Sequence, residues 1–274
     1  MEQFQINFKN QQIASMNHGH FHEAYELVIS KRGSRTFFVS DQTYTIQERD
    51  AIMFPPKIIH RALRSSEDFE RYLVMIPRNL VSSIQVETDH NLFECFYRSS
   101  PVFHFNEEQF KILEQILELL LQEKDHPGKD SLLLKTLLTS QLLVYLNRYA
   151  AQNASTHDDH IDELQNGENS LTKEMIDYLF NHYADAISLE LLEQQFFTSS
   201  FHLCKVFKRD TGFTIMEYLN YLRIRESIHL LEEKELSITE IGYQVGYNST
   251  THFIRCFKQK MEITPKQFRL RKQK

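Results

Sequence analysis

The stretch that most constrains what this chain can fold into is Ile238 to Phe268, ITEIGYQVGYNSTTHFIRCFKQKMEITPKQF. Ser237 and Glu240 stand three apart ahead of an apolar run, the spacing of a capping box. Ile238, Ile241 and Val245 fall on one helical face. Gly246 ends that helix at a position where a positive φ costs little. Asn248 or Ser249 caps a second helix, with Phe253, Cys256 and Phe257 inward and His252, Arg255, Lys258 and Gln259 outward. Thr264, Pro265 and Gln267 open one more short helix. A short helix, a glycine turn and a second helix with a polar outward face predict a helix-turn-helix, the shape that fits the DNA major groove.

At 274 residues the chain has room for two domains. It has no apolar run of 18 residues, so no membrane helix is expected. The start, MEQFQINFKN, has no apolar signal core, and a cytoplasmic location is expected. Cys95, Cys204 and Cys256 have no metal-finger spacing, and the reading is reduced, buried thiols. The net charge of −6 looks wrong for a DNA-binding chain, but it is unevenly spread. Residues 170–274 carry 15 Lys and Arg against 13 Asp and Glu, net +2, whereas residues 1–169 carry 16 against 24, net −8. The basic half must concentrate its charge on one face.

The order Ile238, Ile241, Gly242, Gly246, Tyr247, Phe253, Arg255, Phe257, Lys258, Thr264, Pro265, Phe268 and Arg269 resembles the signature of AraC-type (AraC/XylS) transcription regulators. It departs at Gly242, where the family usually has Ala, and at Met261, where it often has Gly. The resemblance implies a homodimer that binds promoter or operator DNA, works with RNA polymerase, and answers to a small-molecule effector, commonly a sugar, with fatty acids, bile-like amphiphiles, peptides and ligand-free regulation also open; activator is the reading taken, and the sequence does not decide it against repressor.

Residues 1–104 read as a small β-domain. Ala24–Ser30, Arg35–Ser40, Gln42–Gln47, Ala51–Phe54 and Arg71–Ile76 are strand-like runs, punctuated by Gly33, Asp41 and Pro55-Pro56. Many short strands with no helix between them predict a barrel or jelly roll. The segment resembles a cupin: His20, His22, Glu26 and Gly33 keep the first motif, and Pro55 and His60 the second, although Arg49 and Lys57 stand where cupins place Gly. In cupin enzymes the two His, the Glu and the later His bind a metal. In the sensor domains of AraC-type regulators these positions are commonly degenerate, and no metal or cofactor is assigned. The same set, His20, His22, Tyr25, Glu26, Arg35 and His60, then lines an effector pocket. The alternative is a metal-binding cupin enzyme with a DNA-binding appendage.

Residues 105–151 read as two helices. Asn106 and Gln109 box-cap the first, and His126-Pro127-Gly128 stops it. The second, from about Ser131 to Ala150, has a wider leucine surface than one neighbour can cover, and the resemblance implies dimerisation through it. Residues 152–169 read as a polar linker, with a short helical piece near His160–Leu164.

Residues 170–274 then hold two heads. Ser188 and Ser199 cap the helices of an earlier helix-turn-helix, in which Glu193 replaces the usual Ala and Phe197 the usual Gly. Phe is poor at a positive φ, so an altered turn is expected there. Thr214 and Glu217 box-cap a linking helix of roughly 27 Å, long enough to set two heads on one side of a duplex. Base contacts are expected from Ser200, Phe201, Cys204 and Lys205 in the first head, and from Thr250, Thr251, His252 and Arg255 in the second. Lys208, Arg209, Lys258 and Lys260 are phosphate candidates. The fold class is α+β multidomain: a cupin-like barrel with a helical dimerisation pair, then an all-α tandem helix-turn-helix domain.

Overall fold

A computed structural model describes residues 4–10, 22–81, 91–153, 167–233 and 236–272. The chain forms two compact units, one holding the strands and two long helices, the other the remaining helices. The fold is of the expected mixed class.

In the first unit, β1 (Gln5–Asn10), β7 (Glu70–Ile76), β2 (Tyr25–Arg32), β5 (Asp50–Phe54) and β8 (Val102–His104) form one antiparallel sheet in that order. β4 (Gln42–Ile46), β3 (Arg35–Val39) and β6 (His60–Ser65) form a second. Five of these match strands expected from β-branched and aromatic runs to within two residues. β1, β6 and β8 were missed. QINFKN and HRALRS are too polar to announce themselves, and VFH is too short.

Strand alternation sorts the side chains into two cores. Val28, Phe37, Ile46, Ile52, Phe54 and Ala62 pack together inside the barrel. Tyr25, Leu27, Ile29, Tyr72 and Val74 face the other way, against α1 (Glu107–Asp125) and α2 (Ser131–Asn153). The expected capping box on α1 is present, with Asn106 and Gln109 each receiving the other's backbone N–H. α1 and α2 bury Phe110, Leu113, Leu117, Leu120, Leu142, Leu143 and Leu146 on the sheet. Leu132, Leu133 and Leu137 are 72, 60 and 52% exposed, so the surplus apolar face is real within this unit.

Two positions test the cupin likeness. Arg49 and Lys57, which replace glycines of the second motif, have φ of 66° and 68°. The left-handed turns are kept although the glycines are not, at a cost of about 1–2 kcal/mol each.

In the second unit, α3 (Gly167–His182) begins four residues before the expected start and takes in part of the expected linker. Residues 154–166, including His160–Leu164, lie outside the described residues. Phe180 on α3 is exposed, with the Arg225 guanidinium 5.4 Å from its ring centroid. The first head is α4 (Leu189–Phe196) and α5 (Ser200–Thr211), capped by Ser188 and Ser199 as expected. α6 (Ile215–Glu233) links it to α7 (Ile238–Gln244) and α8 (Thr250–Met261), followed by α9 (Pro265–Lys272). Ser249, not Asn248, caps α8.

Gly246 sits at φ +90°, and a Cβ there would lie 2.7 Å from the Ala184 carbonyl oxygen. Gly246→Ala is therefore both strained and blocked. It is expected to destabilise the helical unit by about 2 kcal/mol or more, measured by denaturant unfolding. Gly242→Ala is expected to cost less, because its nearest contacts would be with the Phe253 side chain at 3.0–3.3 Å and not with backbone, and no positive φ is required there.

Candidate functional site

The outward faces of α5 and α8 are the candidate nucleic-acid interface. On α5, Phe201 is 78% exposed, Lys205 and Lys208 are exposed, and Ser200 and Cys204 are half-buried. On α8, Thr251, His252, Arg255 and Lys258 are exposed and Thr250 is half-buried. The fully buried Leu203, Val206 and Phe207 hold α5, and Phe253 and Phe257 hold α8, so each outward set rides on a packed helix.

The first head's turn is intact despite its substitutions. Phe197 occupies the left-handed position at φ 50°, ψ 37° and is 96% exposed. Glu193 turns its departure from Ala to use: its carboxylate accepts the backbone N–H of Ser200, the first residue of α5. That contact, with the Ser199 cap, satisfies two N–H groups that a helix start leaves open, and it holds the Glu193 carboxyl below its ordinary range. The expectation of an altered turn is thus corrected. Phe197 therefore sits at the turn position the sequence assigned it, with its ring in solvent.

Three further expectations are corrected. Lys260 does not project toward phosphate: its Nζ donates to Tyr221 Oη at 2.6 Å and lies 4.0 Å from that ring's centroid. Burial lowers its pKa. Arg209 is exposed but holds Asp210, with Nε to Oδ1 at 2.6 Å, so its charge is already partly matched. Cys256 and Cys204 are half-buried rather than buried, and burial pushes the Cys256 thiol up, away from the reactive thiolate.

The second candidate site lies in the barrel. Glu26 on β2 is 3% exposed, and its Oε2 lies 2.7 Å from His22 Nε2 and 3.2 Å from His60 Nε2. The Nδ1 atoms of His22 and His60 approach the carbonyls of Ala24 and Ile58 at 2.8 and 2.9 Å. A carbonyl only accepts, so both Nδ1 atoms carry the proton, and each Nε2 bonds the carboxylate only when it is protonated too, whereas a bare Nε2 is free to ligate a cation. Burial pushes the Glu26 carboxyl up, but the bonds to His22 and His60 outweigh it and hold it well below the usual carboxylate range. His60 is further fixed by stacking on Phe54, with ring centroids 4.0 Å apart.

The three donor atoms lie within 4.8 Å of one another. Two imidazoles with Nδ1–H on carbonyls, plus a carboxylate, are a set that suits a divalent cation. The metal implied by the cupin likeness therefore fits His22, Glu26 and His60. His20, the remaining motif position, lies outside the described residues.

Arg35 also points into the barrel, 3% exposed. Tyr25 does not. Neighbouring strand residues point to opposite faces, so a pocket that holds Glu26 excludes Tyr25. Its ring instead stacks on Phe93 at 3.8 Å, and its hydroxyl lies 3.0 Å from that of Tyr97. Arg71 on β7, 6% exposed, was not among the sequence candidates, although its alternation with Tyr72 and Val74 places it on the barrel's inner face.

Known proteins match this arrangement part by part. The profile described as an AraC-like ligand binding domain matches residues 13–142, and a helix-turn-helix domain profile matches residues 192–271. The chain belongs to the AraC family. It is accordingly a DNA-binding transcription regulator with a ligand-binding domain. The HTH-type transcriptional activator RhaS of Escherichia coli O6:H1 is 25% identical over 272 residues, covering 91% of this chain and 86% of that protein. The uncharacterized HTH-type transcriptional regulator YdeC of Bacillus subtilis strain 168 is 25% identical over 252 residues, covering 90% and 84%. Among solved structures, an apo ToxT variant from Vibrio cholerae strain SCE256 is 17% identical, with a TM-score of 0.41 and 97% of each chain covered. Among the described residues no helix of this AraC-family chain is long and apolar enough to cross a membrane.

The depressed Glu26 pKa sets a sign for pH dependence. Its stabilising effect is complete above the unfolded carboxylate pKa of about 4.3 and is lost as pH falls toward the folded value. Glu26→Gln is expected to cost about 3 kcal/mol at pH 7. Thermal unfolding of the two proteins should converge as pH is lowered below about 4.

Proposed function

We propose that this AraC-family chain is a dimeric, cytoplasmic transcription activator without catalytic activity, switched by a small molecule in its barrel. The observation that carries the reading is the pair of outward helix faces, each presenting exposed polar and basic groups from a tightly packed helix start. In this reading, Thr250, Thr251, His252 and Arg255 read base edges from α8. On α5, Ser200, Cys204 and Lys205 do so, with Phe201 meeting a thymine methyl. Lys208 and Lys258 add phosphate contacts. His22, Glu26, Arg35 and His60 line the effector site, with His20 assigned to it from sequence alone. Residues 1–104 sense, 105–151 dimerise, 152–169 connect and 170–274 bind DNA. The exposed Leu132, Leu133 and Leu137 supply the dimer face. The activator role draws on the name of RhaS, and activation implies contact with RNA polymerase.

A second reading is favoured by the donor set in the barrel: a divalent cation held by His22, Glu26 and His60. Such an ion would polarise or orient a bound molecule. The side chains already close on one another without it. Elemental analysis separates the two, since stoichiometric metal lost in His60→Ala would favour the cation.

Mobility shifts on genomic fragments test the main reading, and absence of a preferred fragment at any salt concentration would overturn it. Arg255→Ala is expected to relax sequence preference at one base pair, costing about 1–3 kcal/mol there. Lys258→Ala should weaken all fragments alike and reduce the slope of log affinity against log salt by about 1. Leu133→Glu with Leu137→Glu should yield monomers in sedimentation while each unit stays folded.

A further inference from the structure

Among the described residues, two buried arginines of the barrel interior have no bonded counter-ion. Strand alternation turns Arg35 on β3 and Arg71 on β7 inward from the two facing sheets, at 3 and 6% exposure. Both guanidiniums rest against one ring: their Cζ atoms lie 5.6 and 5.9 Å from the Phe69 centroid. A second aromatic, Phe37, lies 5.8 Å from the Arg35 Cζ. Arg35 Nε is buried and has no hydrogen-bond partner among the described residues. Arg35 is pulled down to about 10 by burial and by the positive charge of Arg71, and burial also lowers Arg71.

Of the buried carboxylates among the described residues, Asp50 is taken up by His104 and the Gln47 N–H, and Glu26 does not resolve this either. Its Oε2 is engaged by His22 and His60, and it reaches Arg71 only as a charge at a distance. Burying a cation without a bonded counter-ion is costly, and two cations on one ring repel as well. The planar guanidinium fork matches the two oxygens of a carboxylate or phosphate. Around it, Phe37, Phe54 and Phe69 offer an apolar wall.

We propose that the effector is an organic anion, whose carboxylate or phosphate head is held by Arg35 and Arg71 while its apolar body packs on the barrel phenylalanines. The inference rests on the reading of the barrel as the effector site, and it narrows the effector classes left open by sequence to a charged ligand in place of the family's common sugar. Arg71 becomes a ligand-binding residue beside Arg35.

Thermal unfolding of the full chain, with added benzoate, phenyl phosphate, benzyl alcohol or glucose, tests it. Benzoate or phenyl phosphate should raise the unfolding temperature with a saturating dose dependence, and benzyl alcohol and glucose should not. Which anion is tighter assigns the head as carboxylate or phosphate. Arg35→Met and Arg71→Met should each weaken the anion effect roughly tenfold to a hundredfold. Their ligand-free unfolding temperature should hold or rise, because an unmatched buried charge has gone. Arg35→Lys keeps the charge but loses the fork, and should bind the anion more weakly than wild type if either Met variant folds poorly. The inference is overturned if neither anion gives a saturable shift, or if the shift survives in both Met variants. A shift with glucose or benzyl alcohol alone would overturn the anion while leaving a small-molecule site in place.

Discussion

The helical unit depends on one guanidinium. Arg223, in the middle of α6, donates from Nε to the Tyr183 carbonyl at 2.7 Å and from Nη2 to the Asp185 carbonyl at 2.8 Å. Its Cζ lies 5.5 Å from the centroid of Tyr247, which stands at the turn of the second head. Tyr247 in turn donates to Asn220 on the same linking helix at 3.1 Å. The segment leading into the first head, the linking helix and the turn of the second head thus meet at one side chain. Gly246 seals the junction by letting its backbone approach Ala184. Charge-assisted bonds to carbonyls are directional, so Arg223 sets an angle as well as a distance. A Lys there could neither fork to two carbonyls nor lie flat on Tyr247.

The second head was legible in sequence almost residue by residue. Its capping box, its glycine, the Ser249 cap and the Thr264–Gln267 cap are all local devices, and local devices survive translation into structure. The leucine-rich pair was legible for the same reason, since a helical period declares its own face. The barrel was less so. Strands β1, β6 and β8 form because neighbours pair with them, and their own residues do not ask for it. The site suffered from the same blindness. Tyr25 and Glu26 are adjacent in the motif and opposite in space, whereas Arg35 and Arg71 are far apart in sequence and share a ring.

Several departures from family pattern turn out to be compensated locally. Phe197, Arg49 and Lys57 each hold a positive φ that favours glycine, and after α8 the left-handed position falls on Glu262 and not on Met261, where the departure from Gly was expected. The backbone shape is set by the elements on either side, and the side chain at the corner is left to point wherever solvent admits it. Glu193 shows the complementary case. It replaces a small residue inside the first head and then supplies a bond to the start of α5. Gly242 shows the reverse substitution, in which losing a methyl gives room to the buried Phe253 ring.

The two bare phenylalanines of the first head, Phe197 and Phe201, have a consequence for how the heads divide their labour. Contacts made through rings release ordered water, and they neither displace counterions nor weaken as ionic strength rises. The contacts proposed for Arg255 and Lys258 would do both. If the proposed contacts form, rising salt would weaken both heads, since the first carries Lys205 and Lys208, and the apolar share of the first would be the part left unchanged. Cooling would act in the opposite sense, since apolar attraction fades at low temperature. The balance between the two heads becomes a physical readout of the surroundings, separate from whatever the barrel binds.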